Sequence, residues 1–430
     1  MFYFLLVYLV LVLIRPQDYP AVAESPGPPL QSIALVLAAG LWLFSQRKSF
    51  NQPQYLLIPA FLLVAMVSKV VNGWAGGALF VFFVFAPVLL AYVLLANAVD
   101  TRAPAGGDGG VRDLRLGAGG ARHRAGQHGH RLDGVELSQG TRIQYVGIFN
   151  DPNDLGMLFV MCLPMAFYLS GRGGWLGLKR LFWWTAIVLL VWGCYLTNSR
   201  GTLLALVAML GVYVWRTRGV VMAALMGVGA LGGLMMLPSR LQEMEVSEAS
   251  AMGRVESWYE GIQMFIGSPV FGIGAGGYSD LHELTAHNSF VLVLAETGII
   301  GFTIWLAIVG YCFRMMLAIV ERGDDIIDDV PLEVPDEVAL KDWKTDKALS
   351  LCLLLSLTGF FTAAFFLSRS YVVILYLLVA LVVGHYTRMR ATYPSLPVFS
   401  LEKDLIRWPS YAVIGVIGLY LTVKVLLALA

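Results

Sequence analysis

Apolar residues run along this chain in long unbroken blocks, divided by short polar or basic tracts. The blocks fall near 2–14, 30–45, 55–71, 78–97, 154–170, 181–197, 202–215, 219–237, 289–316, 348–367, 371–386 and 410–428. Most are about 16–27 residues long, the length an α-helix needs to cross a hydrocarbon core. Those at 2–14 and 202–215 are short. A membrane barrel would instead alternate apolar and polar residues in short segments. The pattern predicts an all-α fold, a polytopic membrane helix bundle of about 12–13 transmembrane spans. One long polar interval, 238–288, interrupts it. Within Ala251–Phe265, Val255, Trp258, Ile262 and Phe265 recur at helical spacing. That predicts an amphipathic helix lying on the membrane or over the mouth of the bundle.

Composition narrows the class. The chain has 430 residues, 58% hydrophobic and 14% charged, with a mean hydropathy of +0.71, which excludes a soluble globular protein. A net charge of +1 implies no nucleic-acid partner. Cys162, Cys194, Cys312 and Cys352 all fall inside apolar runs and read as packing residues. The run Phe2–Ile14 lacks a basic leader and ends at Arg15-Pro16-Gln17-Asp18 without a small-residue cleavage site, so no cleavable signal is expected.

Lysine and arginine in short loops set sidedness. Gln46-Arg47-Lys48, Lys179-Arg180, Arg216/Arg218 and the tract with Arg388, Arg390, Lys403 and Arg407 are expected in the cytoplasm. The chain is organised as N-terminal spans (1–100), an anomalous Gly/Arg-rich segment (101–133), a core (134–320) with the outward loop 238–288, an acidic cytoplasmic loop (321–347) and C-terminal spans (348–430). Three loops then face outward: Ile148–Asp154, the turn Thr197–Gly201, and 238–288. They collect Asn150, Asp151, Asn153, Arg200, Arg254 and His287. The bland readings are a membrane-anchoring or snorkelling arginine for Arg200 and Arg254, and a helix cap for His287-Asn288. Glu296, about two turns into the next span, reads as a partner for an arginine or a proton relay. Lys69 reads as snorkelling to the outer surface. Gly272–Gly277 lacks the strand–helix setting of a nucleotide loop and reads as a hinge or a backbone nest for an anion.

Outward arginines suit an anionic lipid head group, which they bind bidentately. A nearby histidine suits general-base work on a hydroxyl. Together they describe glycosyl transfer from a lipid-diphosphate sugar. Asp324-Asp325 and Asp328-Asp329 lie on the cytoplasmic side, so neither a metal nor a cofactor is expected in the reaction.

His287-Asn288, nine residues, then Gly298-x-x-Gly301 matches a pattern of the O-antigen ligase superfamily, which the chain resembles from about Gly147 to Gly310. Asn198-Ser199-Arg200-Gly201, the Arg254…Trp258 helix and Gly267–Gly274 support the resemblance. It implies that Arg200 and Arg254 bind an undecaprenyl-diphosphate-linked glycan donor. It implies that His287 is the catalytic base, with Asn288, Glu296, Gly298, Gly301, Asn150, Asp151 and Asn153 in support. The implied reaction is inverting and metal-independent, in a multi-pass protein of the bacterial inner membrane whose site faces the periplasm. The acceptor would be lipid A-core, a growing polysaccharide or a protein, with membrane lipid as the other partner. A ligase is the favoured reading, with polymerase and protein O-oligosaccharyltransferase as alternatives. A lipid-linked glycan transporter, the competing class, would show internal repeats or paired broken helices, and neither is evident. The family commonly has about twelve spans and both termini in the cytoplasm, whereas the count here puts the C-terminus outside.

That count exposes an irregularity. The span ending near Ala96 finishes inside and Asn150 starts outside, so the interval must cross once. Yet Thr101–Asp133 holds six arginines, nine glycines and three of the six histidines, with no lysine or aromatic residue. Inserting those arginines as one helix would cost roughly 15–20 kcal/mol. The composition is that of a GC-rich gene read out of frame over a real span and loop; the other reading is a genuine Gly/Arg-rich loop beside a miscounted span. On the first reading the chain as written could misinsert and be inactive. Translating the coding DNA in the other two frames is expected to yield about 20 consecutive apolar residues there; two frames without them would refute the idea.

Overall fold

The computed structural model describes residues 1–19, 28–46, 48–100, 137–138, 141–172, 177–235, 244–329 and 335–429. The 101–133 segment, and the reading of it, lie outside the described residues. All twelve apolar runs form helices: α1 (Phe2–Ile14), α2 (Leu30–Leu43), α3 (Gln54–Val71), α4 (Ala75–Asp100), α5 (Pro152–Ser170), α6 (Leu178–Leu196), α7 (Arg200–Arg218), α8 (Val220–Met235), α10 (Ser289–Val320), α11 (Asp336–Ala364), α12 (Val373–Thr392) and α13 (Arg407–Leu429). The amphipathic helix of the long loop is α9 (Met244–Gly267). Among the described residues eight helices are long and apolar enough to span a membrane: α3, α4, α5, α6, α10, α11, α12 and α13. Helices α1, α2 and α8 are shorter, and α7 carries Arg200, Arg216 and Arg218 at its ends. Among the described residues the only strand-like feature is an isolated bridge between Ser138 and Arg142.

Helix α10 is the axis of the bundle. It packs against α3, α9, α11, α12 and α13 and buries Trp305, Tyr311, Cys312 and Met315. A second line of packing joins α5 to α6, α7 and α11, and a third joins α4 to α3 and α12. Hydrogen bonds identify the two ends. The Asn97 amide accepts from Ser49 N (2.8 Å) and donates to the Tyr55 hydroxyl (3.2 Å), so α4 ends where α3 begins. At the opposite end Tyr145 donates to the Ile14 carbonyl (2.8 Å) and Arg142 donates to the Thr197 carbonyl (2.9 Å). The chain therefore leaves α4 at one end and reaches Arg142 at the other, as the loop charges require. Lys424 Nζ stands 5.5 Å over the Tyr259 ring, so α13 runs toward the Arg142 end.

Within α10 the helix breaks at Gly298, whose φ and ψ are 62° and −164°. The segment Gly267–Gly274 fills the break. Ile273 N donates to the Ala295 carbonyl (2.9 Å), Gly274 N to the Glu296 carbonyl (3.0 Å), and Ile299 N to the Pro269 carbonyl (2.8 Å). These bonds satisfy backbone groups that the lost helical turn would leave bare in an apolar setting. A Cβ on Gly298 would lie 2.4 Å from the Val270 carbonyl, and one on Gly272 would lie 2.4 Å from the Glu296 carbonyl carbon. The sequence predicted an unbroken span here and read the glycines as helix-packing residues. The pattern hides the break because the residues around it stay apolar while a distant loop supplies the bonds. Gly301 makes room within its own helix, since a Cβ there would meet Thr297 Oγ1 at 2.1 Å.

Gly298→Ala should cost about 1–3 kcal/mol of stability from backbone strain alone. Gly211→Ala, in open space on α7, should be neutral or gain up to about 1 kcal/mol of helix propensity. Thermal unfolding of the two purified variants, side by side, checks the contrast; equal melting temperatures would contradict it.

Candidate functional site

Three helices begin at the Arg142 end, each with a polar cap. Asp151 Oδ1 accepts from Asn153 N (2.7 Å) and Pro152 opens α5. Ser199 Oγ accepts from Thr202 N (3.3 Å) at α7. Asn288 Oδ1 accepts from Phe290 N and Val291 N (2.8 and 3.2 Å) at α10. Capping fixes where each helix starts and turns its partial positive end toward a common space. The turn residues before two of these caps, Asn198 and His287, take left-handed φ values of 45° and 47°. Such geometry in a non-glycine residue is held by its surroundings: Ala286 and Asn288 on either side of His287 are fully buried.

Helix α9 brings the first cation to His287. Its Trp258 packs on Phe365 and Phe366, with ring centroids 5.3 and 6.4 Å away. Tyr278 donates to the Ser257 carbonyl, and Gly261 allows close approach to Val291. The helix thus lies over the bundle mouth, and Arg254, one turn before Trp258, shares an electrostatic neighbourhood with Asp151, Arg142 and Arg200. The α11–α12 loop brings a second cation. Ser289 Oγ donates to the Leu367 carbonyl (2.6 Å) and accepts from Arg369 N (2.8 Å), while Thr285 donates to Ser368 (2.7 Å). Arg369 then grips both oxygens of the buried Asp154 carboxylate. Arg142 adds a third, donating through Nη2 to Asn153 Oδ1 (3.0 Å).

These charges act on one another. Burial lowers the His287 pKa from its ordinary 6.5; Arg254 and Arg369 push it further down, against Asp151. The imidazole is therefore neutral at neutral pH and free to accept a proton. Burial also lowers the pKa of Arg254, and of Arg142, each with partial relief from Asp151. For Arg369 burial opposes the charge, but Asp154 more than offsets it and holds the guanidinium above its usual value. Four arginines against two aspartates leave a surplus of two positive charges among these groups.

The sequence-derived residues separate into two groups. Arg200, Arg254, His287 and Asp151 come together, with Asn153 holding Arg142 and Asn288 capping α10. Asn150 closes the 3-10 turn before α5 and is exposed. Glu296, Gly298 and Gly301 stay inside α10; Glu296 lies nine residues beyond His287, about 13 Å along a helix. The Glu296 carboxylate accepts from Tyr278 N (3.3 Å) and from Gly276 N, with the Tyr371 hydroxyl facing it. Of the glycine run 272–277, the Gly276 amide turns to the chain's own Glu296, so the run serves an internal side chain. Lys69 does not snorkel: it is buried under Gly274, with Nζ 5.0 Å over the Trp74 ring. Arg142, Arg369 and the ion pair to Asp154 went unforeseen. Arg369 was within reach, since it stands in an outward turn between two apolar runs, the same argument that singled out Arg200.

The helices and this end of the bundle define a polytopic membrane protein with a cluster of cations around one neutral histidine. Residues 185–306 match the family described as O-antigen ligase, a stretch that includes Arg200, Arg254, His287, Gly298 and Gly301. The match over this stretch supports the O-antigen ligase superfamily. No curated protein matches the chain.

Asp154→Asn should destabilise the protein by roughly 2–3 kcal/mol, less than a fully buried pair loses because the Arg369 side chain is 32% exposed. Thermal unfolding measures it, and no change would mean that the pair does not hold the α11–α12 loop.

Proposed function

We propose that this protein transfers a glycan from an undecaprenyl-diphosphate donor to an acceptor hydroxyl at the periplasmic face of the inner membrane, as a ligase of O-antigen or a related polysaccharide. The observation that carries the reading is the neutral His287 set among guanidiniums with two charges to spare. A diphosphate ester carries about that charge, and guanidiniums bind its oxygens bidentately. Three helix N-termini add to the same field.

In the proposed step the His287 imidazole accepts the proton of the acceptor hydroxyl. The oxygen attacks the anomeric carbon opposite the diphosphate and a new C–O bond forms. The old bond to the diphosphate oxygen breaks, its electron pair leaves with the lipid diphosphate, and the anomeric configuration inverts. Arg254 and Arg200 stabilise the departing charge, with Arg142 and Arg369 shaping the pocket beside them. The step calls on no metal. Sidedness rests on the basic loops, which gather at the other end of the bundle, at Lys179-Arg180 and Arg216/Arg218. A lipid A-core or polysaccharide acceptor is favoured over a protein one.

Transfer from a lipid-diphosphate donor in proteoliposomes, with residues 101–133 restored if the DNA supports it, is the test. His287→Ala is expected to lower the rate by roughly 10²–10⁴-fold; undiminished transfer would remove His287 as the base. The pH profile gives a second test. Because Arg254 depresses the His287 pKa, Arg254→Gln should move the acidic limb of kcat/KM to higher pH. Asp151→Asn, which removes an opposing negative charge, should move it to lower pH. Shifts of opposite sign to these would contradict the arrangement.

A further inference from the structure

At the end of the bundle opposite His287, α5, α7 and α11 surround a cavity of about 820 Å³. Its wall combines two chemistries. Phe167, Leu340 and Leu351 are apolar, while Arg172, Lys341 and Lys344 bring three cations against one carboxylate, Glu337. Arg172 stacks 4.7 Å over the Tyr168 ring. Tyr168 also lines the cavity; its hydroxyl is buried and finds no hydrogen-bond partner among the described residues. Lys344 reaches Asp324 only at 4.0 Å, and among the described residues neither Lys341 nor Arg172 makes an ion pair.

Helix ends do not account for this charge. Arg172 follows the C-terminus of α5, where a cation complements the dipole. Lys341 and Lys344, however, sit in the early turns of α11, where the dipole favours acids. The cations are gathered at a cavity far larger than a phosphate ion needs and walled largely by hydrocarbon. Phe167 and Tyr213 at its lining are both exposed on the outside of the bundle. It is also the end of the basic loops, and the leaflet facing such loops is the one rich in anionic lipid.

We propose that this cavity binds an anionic phospholipid. Its phosphate sits between Arg172, Lys341 and Lys344. An acyl chain lies along Phe167, Leu340 and Leu351. The bound lipid ties together α5, α7 and α11, whose other ends carry Asp154, Arg200 and the Arg369 loop.

The test uses the full chain purified in neutral detergent. Phosphatidylglycerol, phosphatidylcholine and inorganic phosphate are titrated separately, with native mass spectrometry and thermal unfolding as readouts. Phosphatidylglycerol is expected to be retained and to raise the melting temperature, and the other two to do neither. The Arg172→Ala/Lys341→Ala double variant should bind phosphatidylglycerol at least roughly tenfold more weakly. The charge-keeping pair Arg172→Lys/Lys341→Arg should retain it. Lys341→Glu, an exposed single change, gives the same reading if the double variant does not fold. Equal stabilisation by phosphatidylcholine would overturn the anionic requirement. Equal stabilisation by inorganic phosphate would overturn the lipid, and unchanged binding by Lys341→Glu and the double variant would overturn the location. None of these readouts involves glycan transfer.

Discussion

Backbone that leaves its helix inside an apolar bundle must find new partners, and at Gly298 it finds them in Gly267–Gly274. Much else follows from that stitch. The loop that closes the break is the continuation of α9, so fixing the loop fixes the end of the helix that carries Arg254. The same loop continues through Gly276 and Tyr278, whose amides hold Glu296, and Tyr278 then reaches back to the Ser257 carbonyl. Arg254 is thus placed over His287 by bonds made two to three turns deeper in the bundle.

The cluster above is built by a division of labour between paired and surplus charge. Asp154 is consumed by Arg369 and serves position. Asp151 faces several cations and, among the described residues, pairs with none, so it tempers the field on His287 without cancelling it. Among the described residues Arg200 and Arg254 make no ion pair. A neutral imidazole beside uncommitted guanidiniums suits chemistry in which a proton is taken from one partner while negative charge leaves on another.

Much of this was legible in the chain. Each apolar run became a helix, since a long run with no alternation has few other ways to satisfy its backbone in lipid. Loop charges indicated which end Asn150 and His287 share, and the hydrogen bonds of Asn97 and Tyr145 place them so. The amphipathic spacing of Trp258 and Ile262 marked the face that α9 buries. What stayed hidden depended on distant partners. The break at Gly298 is invisible because the residues that repair it lie some thirty positions earlier. Lys69 looked like a surface-seeking side chain because nothing local reveals that Gly274 covers it. Arg142 and Arg369 gain meaning only from Asn153 and Asp154, and such pairings have no one-dimensional signature.

The last helix carries a consequence of its own. Val423 of α13 joins Trp258, Ile262 and Tyr278 in one packed cluster, and Lys424 covers Tyr259. The helix that presents Arg254 is therefore clasped by α13, which itself contributes no residue to the group around His287. Its packing bears on that group only through the placement of α9, so a change in α13 reaches His287 as a change in where Arg254 sits.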